Sequence, residues 1–188
     1  MNRREAIARV GLIMGGTMIG AEYLSSCVTA PKKFNELFSV DQVSLLDEIG
    51  ETILPATKTP GAKAVHIGSF MAFMVKECYN DKDQEVFAGG LNKLNDAFKK
   101  KYSTDFMTGT PAQRTELLNE LDKEQKEYTK TKKKEEPNHY FRMMKELTLF
   151  GYFTSEEGAT KALRYMPVPG KYDGNYPYKK GDKAWALS

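Results

Sequence analysis

Residue patterns that begin α-helices mark the chain at three places. Ser39-Val-Asp-Gln42, Thr110-Pro-Ala-Gln113 and Thr154-Ser-Glu-Glu157 each place a hydroxyl residue three positions before Gln or Glu. In such a capping box, the two side chains accept hydrogen bonds from backbone N–H groups that the helix leaves unpaired. Pro111 strengthens the second box, because proline fits the first position of a helix. Little of the sequence alternates as a β-strand would, so we predict an all-α fold.

Apolar residues repeat at helical spacing between these starts. The first stripe of apolar residues ends at Pro55, because proline cannot continue a helix. A second helix is predicted over about 66–79, and Asp81 or Asp83 is expected to cap a third. Together with the later helices these segments predict a single compact helical domain over residues 39–164.

The second and third helices each contain a residue type whose role depends on its neighbours. Cys78 lies in an apolar stretch, and we predict a small, buried core residue there. Gly89-Gly90 falls in the middle of the third helix. A glycine pair would weaken or kink the helix, or it would let another helix approach closely. The sequence leaves these alternatives open.

The second half of the domain contains a polar stretch followed by an apolar one. Residues 124–136 are polar on all sides and include Lys132-Lys-Lys134, which glutamates flank closely. A lysine run raises the hypothesis of binding to nucleic acid or lipid headgroups, but this context favours a solvated helix end or a loop. With 28 Lys and Arg against 25 Asp and Glu, the chain is also too balanced to suggest nucleic-acid binding. Residues 138–153 are apolar on more than one face, which predicts a helix buried in the core or against a partner.

The N-terminus reads as an export signal. Arg3 and Arg4 precede a short apolar stretch, residues 10–21, and then Leu24-Ser-Ser-Cys27. The arginine pair is typical of twin-arginine export of folded proteins, and Leu-Ser-Ser-Cys resembles a bacterial lipobox. We predict a signal peptide over 1–26, lipidation at Cys27 and a tether over 27–38, which places the mature chain on the periplasmic side of a bacterial membrane. The alternative is an ordinary apolar N-terminal helix with a buried cysteine.

The C-terminal segment, residues 165–188, differs in composition from the helical domain. It is rich in Pro, Gly and Tyr and contains the only tryptophan of the chain. Such a segment cannot build its own core or run as a helix, so we predict an extended tail that lies over the helices or over a partner. The candidate partner-binding residues are Tyr165, Pro167, Pro169, Tyr172, Tyr176, Tyr178 and Trp185.

Motifs of known catalytic or metal chemistry are missing from the sequence. It contains no glycine-rich nucleotide loop after a strand, no nucleophile elbow and no Cys-x-x-Cys. His66 and His139 are far apart in sequence, and a lone histidine on a helix is more often a packed or surface residue than a metal ligand or a base. We therefore expect no catalytic, cofactor-binding or metal-binding residues in this chain. An enzyme that uses His66 or His139 remains the third hypothesis.

Three longer stretches resemble the gluconate 2-dehydrogenase subunit 3 family. They are Glu51-Thr-Ile-Leu-Pro-Ala-Thr-Lys-Thr-Pro-Gly-Ala62, Leu147-Thr-Leu-Phe-Gly-Tyr-Phe-Thr-Ser-Glu-Glu-Gly158 and Pro167-Val-Pro-Gly-Lys-Tyr-Asp-Gly174. The arginine pair of the signal and the final Ala184-Trp185 extend the resemblance over nearly the whole chain.

The resemblance implies a non-catalytic accessory subunit that also escorts a larger subunit during export. The implied partner is an FAD-dependent large subunit of the glucose–methanol–choline type that oxidises sugars, glucosides or polyols, often with a c-type cytochrome. FAD is accordingly expected in the partner and no cofactor in this chain. The lipobox at Leu24-Ser-Ser-Cys27 is a departure from many relatives, and it implies a lipid anchor on this chain. The alternative function is a stand-alone periplasmic lipoprotein that binds a partner or ligand through its aromatic tail.

Overall fold

A computed structural model of the chain describes residues 33–168, 170–171 and 173–186. Arg3, Arg4 and Cys27 lie outside the described residues, as do Pro169 and Tyr172. The roles predicted for these five positions therefore stay predictions.

The described part of the chain contains five α-helices and two short helical turns. The α-helices are α1 (Val40–Ile53), α2 (Ile67–Cys78), α3 (Asp81–Tyr102), α4 (Pro111–Thr131) and α5 (Tyr140–Thr154). A 3₁₀ turn (Ala62–Val65) precedes α2, and a π-helical turn (Gly158–Ala162) follows α5. Within these residues the only β-type pairings are two isolated bridges, so the all-α prediction is confirmed. None of the described helices is both long enough and apolar enough to cross a bilayer.

Two of the predicted capping boxes begin helices as expected. At the start of α1, the Ser39 N–H donates to Gln42 Oε1 at 2.9 Å, and the Gln42 N–H donates to the Ser39 hydroxyl at 3.2 Å. Thr110 and Gln113 make the same pair of bonds at the start of α4, with Pro111 at its first position. The lysine run after α4 lies in the loop 132–139, which agrees with the expected helix end or loop.

Two other predicted helix caps are wrong, because a nearby residue makes each cap. Asn80 caps α3, because its side-chain oxygen accepts from the Asp83 N–H at 3.0 Å, where Asp81 or Asp83 was expected. Thr154 begins no helix and is the last residue of α5, with its hydroxyl donating back to the Phe150 carbonyl at 2.7 Å. Ser155 forms the cap instead, because its hydroxyl oxygen accepts a hydrogen bond from the Gly158 N–H at 3.1 Å.

The five helices enclose one apolar core. α1 packs mainly on α2, while α5 contacts each of the other four α-helices. Phe38, which precedes α1, is buried and meets Phe87 of α3 edge to face with ring centroids 5.9 Å apart. The largest fully buried side chains are Phe38, Phe87, Phe98, Phe106, Phe141, Leu46, Ile49, Ile67, Met71, Leu91, Leu94 and Met144.

Gly90 and Gly151 let helices approach closely. A Cβ atom at Gly90 would lie 2.2 Å from the Cβ of Tyr140, where α3 meets α5. A Cβ atom at Gly151 would lie 2.5 Å from Phe70 Cδ1 and 2.6 Å from Ile67 Cδ1, where α5 meets α2. Since α3 runs as one helix through both glycines, the alternatives for Gly89-Gly90 resolve in favour of a close approach at Gly90.

The prediction that Cys78 is a core residue is wrong, because its side chain is exposed. Cys78 is the last residue of α2, and α3 begins three residues later. Its sulfur atom lies 4.0 Å from that of the half-buried Met74. The apolar character of the local sequence therefore did not place this residue inside.

A network of charges ties α1 to α4 beside the core. The guanidinium of Arg114 forms an ion pair with Glu48 and donates to the carbonyls of Phe106 and Met107 at 2.8 and 2.7 Å. Lys63 approaches the second carboxylate oxygen of Glu48 at 2.6 Å. Burial opposes ionisation of Glu48, but these two cations together hold its pKa below the usual range.

Candidate partner-binding surfaces

The two histidines are not brought together by the fold. Ile67, next to His66, packs against Gly151, which is twelve positions along α5 from the cap residue His139. At 1.5 Å per residue, that separation amounts to about 18 Å. His66 is an exposed residue in the left-handed region, with φ 52°, between the 3₁₀ turn and α2. Nor does the described part of the chain contain a group of three His, Cys, Asp or Glu side chains able to hold a metal ion.

His139 has a structural role at the start of α5. Its Nδ1 accepts from the Phe141 N–H at 3.2 Å, and its ring stacks on Tyr140 with centroids 4.4 Å apart. Burial lowers the pKa of His139, and Glu124, 3.5 Å from Nε2, opposes the shift only in part. The neutral imidazole that results is the form able to accept a hydrogen bond at Nδ1.

The tail folds back on itself around Arg164. The Arg164 N–H donates to the Ala184 carbonyl at 2.8 Å, and the Ala186 N–H donates to the Arg164 carbonyl at 2.9 Å. The guanidinium carbon of Arg164 lies 4.7 Å from the ring centre of Trp185 and 5.6 Å from that of Tyr176. These two rings meet edge to face at 5.3 Å. The tail is thus a closed loop with a cation–π cluster at its base.

The described candidate residues of the tail are exposed. Tyr178 is 77% exposed, Tyr176 50%, Tyr165 46% and Trp185 37%, and Pro167 is exposed as well. The fold brings Tyr176 and Trp185 together through Arg164, but not Tyr165 or Tyr178. The described aromatic side chains of the tail therefore each leave a substantial part of their surface accessible to solvent.

A second exposed aromatic surface lies on the helical domain, and the sequence did not single it out. It consists of Phe73 on α2 and Leu149, Phe150 and Phe153 on α5, and we call it the aromatic ridge. These side chains are 58%, 37%, 54% and 37% exposed, in that order. Phe70, one turn before Phe73, contacts Phe150 with ring centroids 6.0 Å apart and so joins the two helices beneath the ridge.

Helical geometry explains why the ridge faces solvent. The buried residues of α2 are Ile67, Gly68, Met71, Ala72 and Val75. At 100° per residue, Phe73 lies about 170° around the helix from the centre of that set. On α5 the buried face is centred opposite Leu149, Phe150 and Phe153. The apolar pattern on more than one face of residues 138–153 was the one sequence signal for this surface, and α5 does present one apolar face to the core and another to solvent.

A charged groove borders the ridge on the α4 side. It is open, with a volume of about 480 Å³, and Leu149 forms part of its wall. Four cationic and two anionic side chains line it, namely Lys126, Lys130, Arg142, Lys145, Glu127 and Glu146. Hydrogen bonds from Lys126 and Lys145 lower the pKa of the neighbouring Asp122 to about 2, so this carboxylate stays ionised and links α4 to α5. Lys130 pairs with Glu127 and Arg142 with Glu146, so the groove is a polar border in which each cation has a carboxylate partner.

Comparison with known proteins identifies one family. The family described as gluconate 2-dehydrogenase subunit 3 matches residues 40–170, well over half of the 188-residue chain. No curated protein and no solved structure gives a match in the corresponding searches. The matched region contains all five α-helices and the whole aromatic ridge, and it ends before Tyr176 and Trp185 of the tail loop. The chain therefore belongs to the gluconate 2-dehydrogenase subunit 3 family.

Proposed function

We propose that this chain is the non-catalytic small subunit and export escort of a membrane-associated, FAD-dependent sugar, glucoside or polyol dehydrogenase. The observation that carries the proposal is the family match over residues 40–170, since this is a family of accessory subunits of dehydrogenase complexes. The partner is a larger dehydrogenase subunit. In the proposed complex it is of the glucose–methanol–choline type and holds the FAD.

The exposed aromatic side chains support a role in assembly. Protein–protein interfaces are enriched in Tyr, Trp, Phe and Met, and the tail and the aromatic ridge both expose such residues. The proposed contact residues of the tail are Tyr165, Pro167, Pro169, Tyr172, Tyr176, Tyr178 and Trp185. Closure of the tail around Arg164 reduces the conformational freedom that binding would otherwise remove.

The N-terminal sequence supplies the export and anchoring parts of the proposal. Arg3 and Arg4 direct the folded chain, together with its bound partner, to a twin-arginine route. After cleavage, a lipid on Cys27 holds the complex on the periplasmic side of a bacterial membrane. Electrons from the flavin then pass to a c-type cytochrome or another acceptor in the same membrane.

Isolation of the chain from its native membrane tests the complex. An affinity-tagged chain, solubilised in detergent, should co-elute with a larger protein that shows a flavin absorbance band. A colourless, monomeric and well-folded protein would instead favour the stand-alone lipoprotein. Dehydrogenase activity of the isolated chain, lost in His66→Ala or His139→Ala, would favour the enzyme hypothesis.

The export role is tested in the signal itself. Arg3→Lys with Arg4→Lys should leave the large subunit in the cytoplasm, whereas Arg9→Lys, outside the pair, should not. The measurement is the distribution of the large subunit between periplasmic and cytoplasmic fractions. A large subunit that still reaches the periplasm in the double variant contradicts the escort role.

The role of the tail is tested by ending the chain after Tyr165. This truncation leaves all five α-helices intact and should lower the yield of co-purified large subunit. Circular dichroism of the truncated chain controls for folding of the helical domain. Co-purification at full yield would show that the tail is not a binding element.

A further inference from the structure

We infer that the aromatic ridge, formed by Phe73, Leu149, Phe150 and Phe153, is the docking surface for the catalytic subunit. The inference rests on the proposed function and adds to it a surface on the helical domain, separate from the tail. It lies outside the tail residues that the sequence suggested, although Leu149, Phe150 and Phe153 belong to the stretch 138–153 that was predicted to pack in the core or against a partner.

The exposure of the ridge is not explained by the needs of the fold. α5 already buries a complete apolar face, which includes Phe141, Met144, Leu147 and Tyr152. Leu149, Phe150 and Phe153 stand on the other side of α5, and Phe73 faces away from the buried side of α2. Exposed apolar side chains grouped on neighbouring helices mark interaction sites in soluble domains.

The size of the ridge fits the centre of an interface. An aromatic side chain buries roughly 200 Å² when covered, so the exposed fractions of Phe73, Phe150 and Phe153 correspond to about 300 Å². A standard interface buries about 800 Å² on each partner, with an apolar centre and a polar rim. The ridge therefore supplies the apolar centre, and the adjoining charged groove supplies part of the rim.

Buried contacts hold together the two helices that carry the ridge. Phe70 packs over Gly151 and supports the ring of Phe150 from below. Thr148, on the buried side of α5, donates to the Met144 carbonyl at 2.7 Å and lies 4.0 Å from the Met71 sulfur. Side chains held on two packed helices lose little freedom on binding, which favours affinity.

The family match favours a different protein over a second copy of this chain as the occupant. The matched residues 40–170 contain the whole ridge, and the family consists of accessory subunits that associate with a larger dehydrogenase subunit. The groove that begins at Leu149 adds a polar rim, in which each of the four cations pairs with a carboxylate. A catalytic subunit with a polar rim around an apolar patch would match both parts of the surface.

The test compares ridge variants with an exposed apolar residue elsewhere. Phe73→Ser with Phe150→Ser removes the two most exposed ridge side chains. Met107→Ser removes an apolar side chain, 43% exposed, in the loop between α3 and α4. Each tagged chain is expressed in the native host, extracted from the membrane and assayed for co-eluting large subunit and flavin absorbance. Truncation of one hot-spot residue weakens affinity at least about thirtyfold, so we expect the double variant to retain far less large subunit than Met107→Ser.

The possible outcomes separate this inference from the proposed function. Loss of the large subunit from the ridge variant alone, with an unchanged far-ultraviolet dichroism spectrum, supports the docking surface. Full retention in the ridge variant overturns the surface but leaves the proposed function in place. Absence of any flavoprotein from the wild-type chain overturns the proposed function itself. Two further results would overturn the docking surface and assign the ridge to another occupant. The first is a wild-type homodimer that the ridge substitutions dissociate. The second is binding of the wild-type chain to phospholipid vesicles that the substitutions abolish, while the large subunit is retained.

Discussion

Gly89 and Gly90 are neighbours in α3, yet their surroundings predict opposite effects of the same substitution. A Cβ atom at Gly89 meets no atom within 4 Å. At Gly90 a Cβ atom would lie 2.2, 2.3 and 2.6 Å from the Cβ, Cγ and Cδ2 atoms of Tyr140. Gly89→Ala and Gly90→Ala therefore form a matched pair that tests the packing of α3 against α5.

The magnitudes follow from two terms. Replacing a helical glycine by alanine contributes about 1 kcal/mol in favour of the folded state, and at Gly89 this is the only term. At Gly90 the same gain is opposed by overpacking, which costs about 1–3 kcal/mol and occasionally more. The cost lies at the upper end because the clashing Tyr140 Cβ is attached to the backbone, so α5 itself must move by more than about 1 Å to restore ordinary contact. We expect Gly90→Ala to lower the free energy of unfolding by about 2 kcal/mol.

Urea and thermal unfolding, followed by circular dichroism, measure both variants. In a domain of this size, 1 kcal/mol corresponds to about 2–4 °C in Tm. Gly89→Ala should therefore raise Tm by about 2–4 °C, and Gly90→Ala should lower it by about 4–8 °C. If Gly90→Ala is as stable as Gly89→Ala, α3 and α5 do not approach as described and the reasoning is refuted.

Three further predictions concern other contacts. Arg114→Ala should lower the free energy of unfolding by about 2–4 kcal/mol, because it leaves Glu48 without one of its two cations. In the Arg114→Ala background, Glu48→Gln should lower the free energy of unfolding by less than it does in the wild-type chain. Strictly additive effects of the two substitutions in urea unfolding would contradict the interaction between Arg114 and Glu48. Burial holds the pKa of His139 in the folded state below 6.5. The stabilisation that the neutral imidazole provides is therefore complete above about pH 6.5 and is lost as the pH falls toward the pKa of the folded state. His139→Asn keeps a capping side chain and should flatten this part of the stability–pH curve, whereas an unchanged slope between pH 7 and 5 would contradict the assignment. Arg164→Ala should shift the emission of Trp185, the only tryptophan, to longer wavelength as the indole gains water, and an unshifted spectrum would show that the tail loop does not depend on this contact.

Local signals in the sequence were enough to predict most of the helices. The boxes at Ser39 and Thr110 begin α1 and α4 because the bonds that form them join residues only three positions apart. The same locality explains the errors at α3 and after α5. Several polar residues near these helix ends could have made the cap, and the path of the backbone decided that Asn80 and Ser155 do so.

The candidate surfaces were predictable only in part. Tail composition indicated exposed aromatic residues, and the described ones are exposed, but their closure around Arg164 depends on a contact between residues about twenty positions apart. The aromatic ridge could not be located, because the sequence shows that residues 138–153 are apolar on more than one face without showing which face the other helices cover. Cys78 was placed in the core for the same reason: an apolar neighbourhood in sequence does not reveal where a helix ends relative to its neighbours.

By itself the sequence determined the helical class, two of the capping boxes, the apolar stripes and the family, because caps and helical periodicity depend on residues within a turn or two of each other. Tertiary structure alone decided which of two adjacent glycines meets α5, that Cys78 faces solvent, and that Phe73 and Phe150 do so too. Those properties depend on which faces of different helices meet. Contacts between residues far apart in the chain determine which helix faces pack together, and a local sequence pattern does not reveal those contacts.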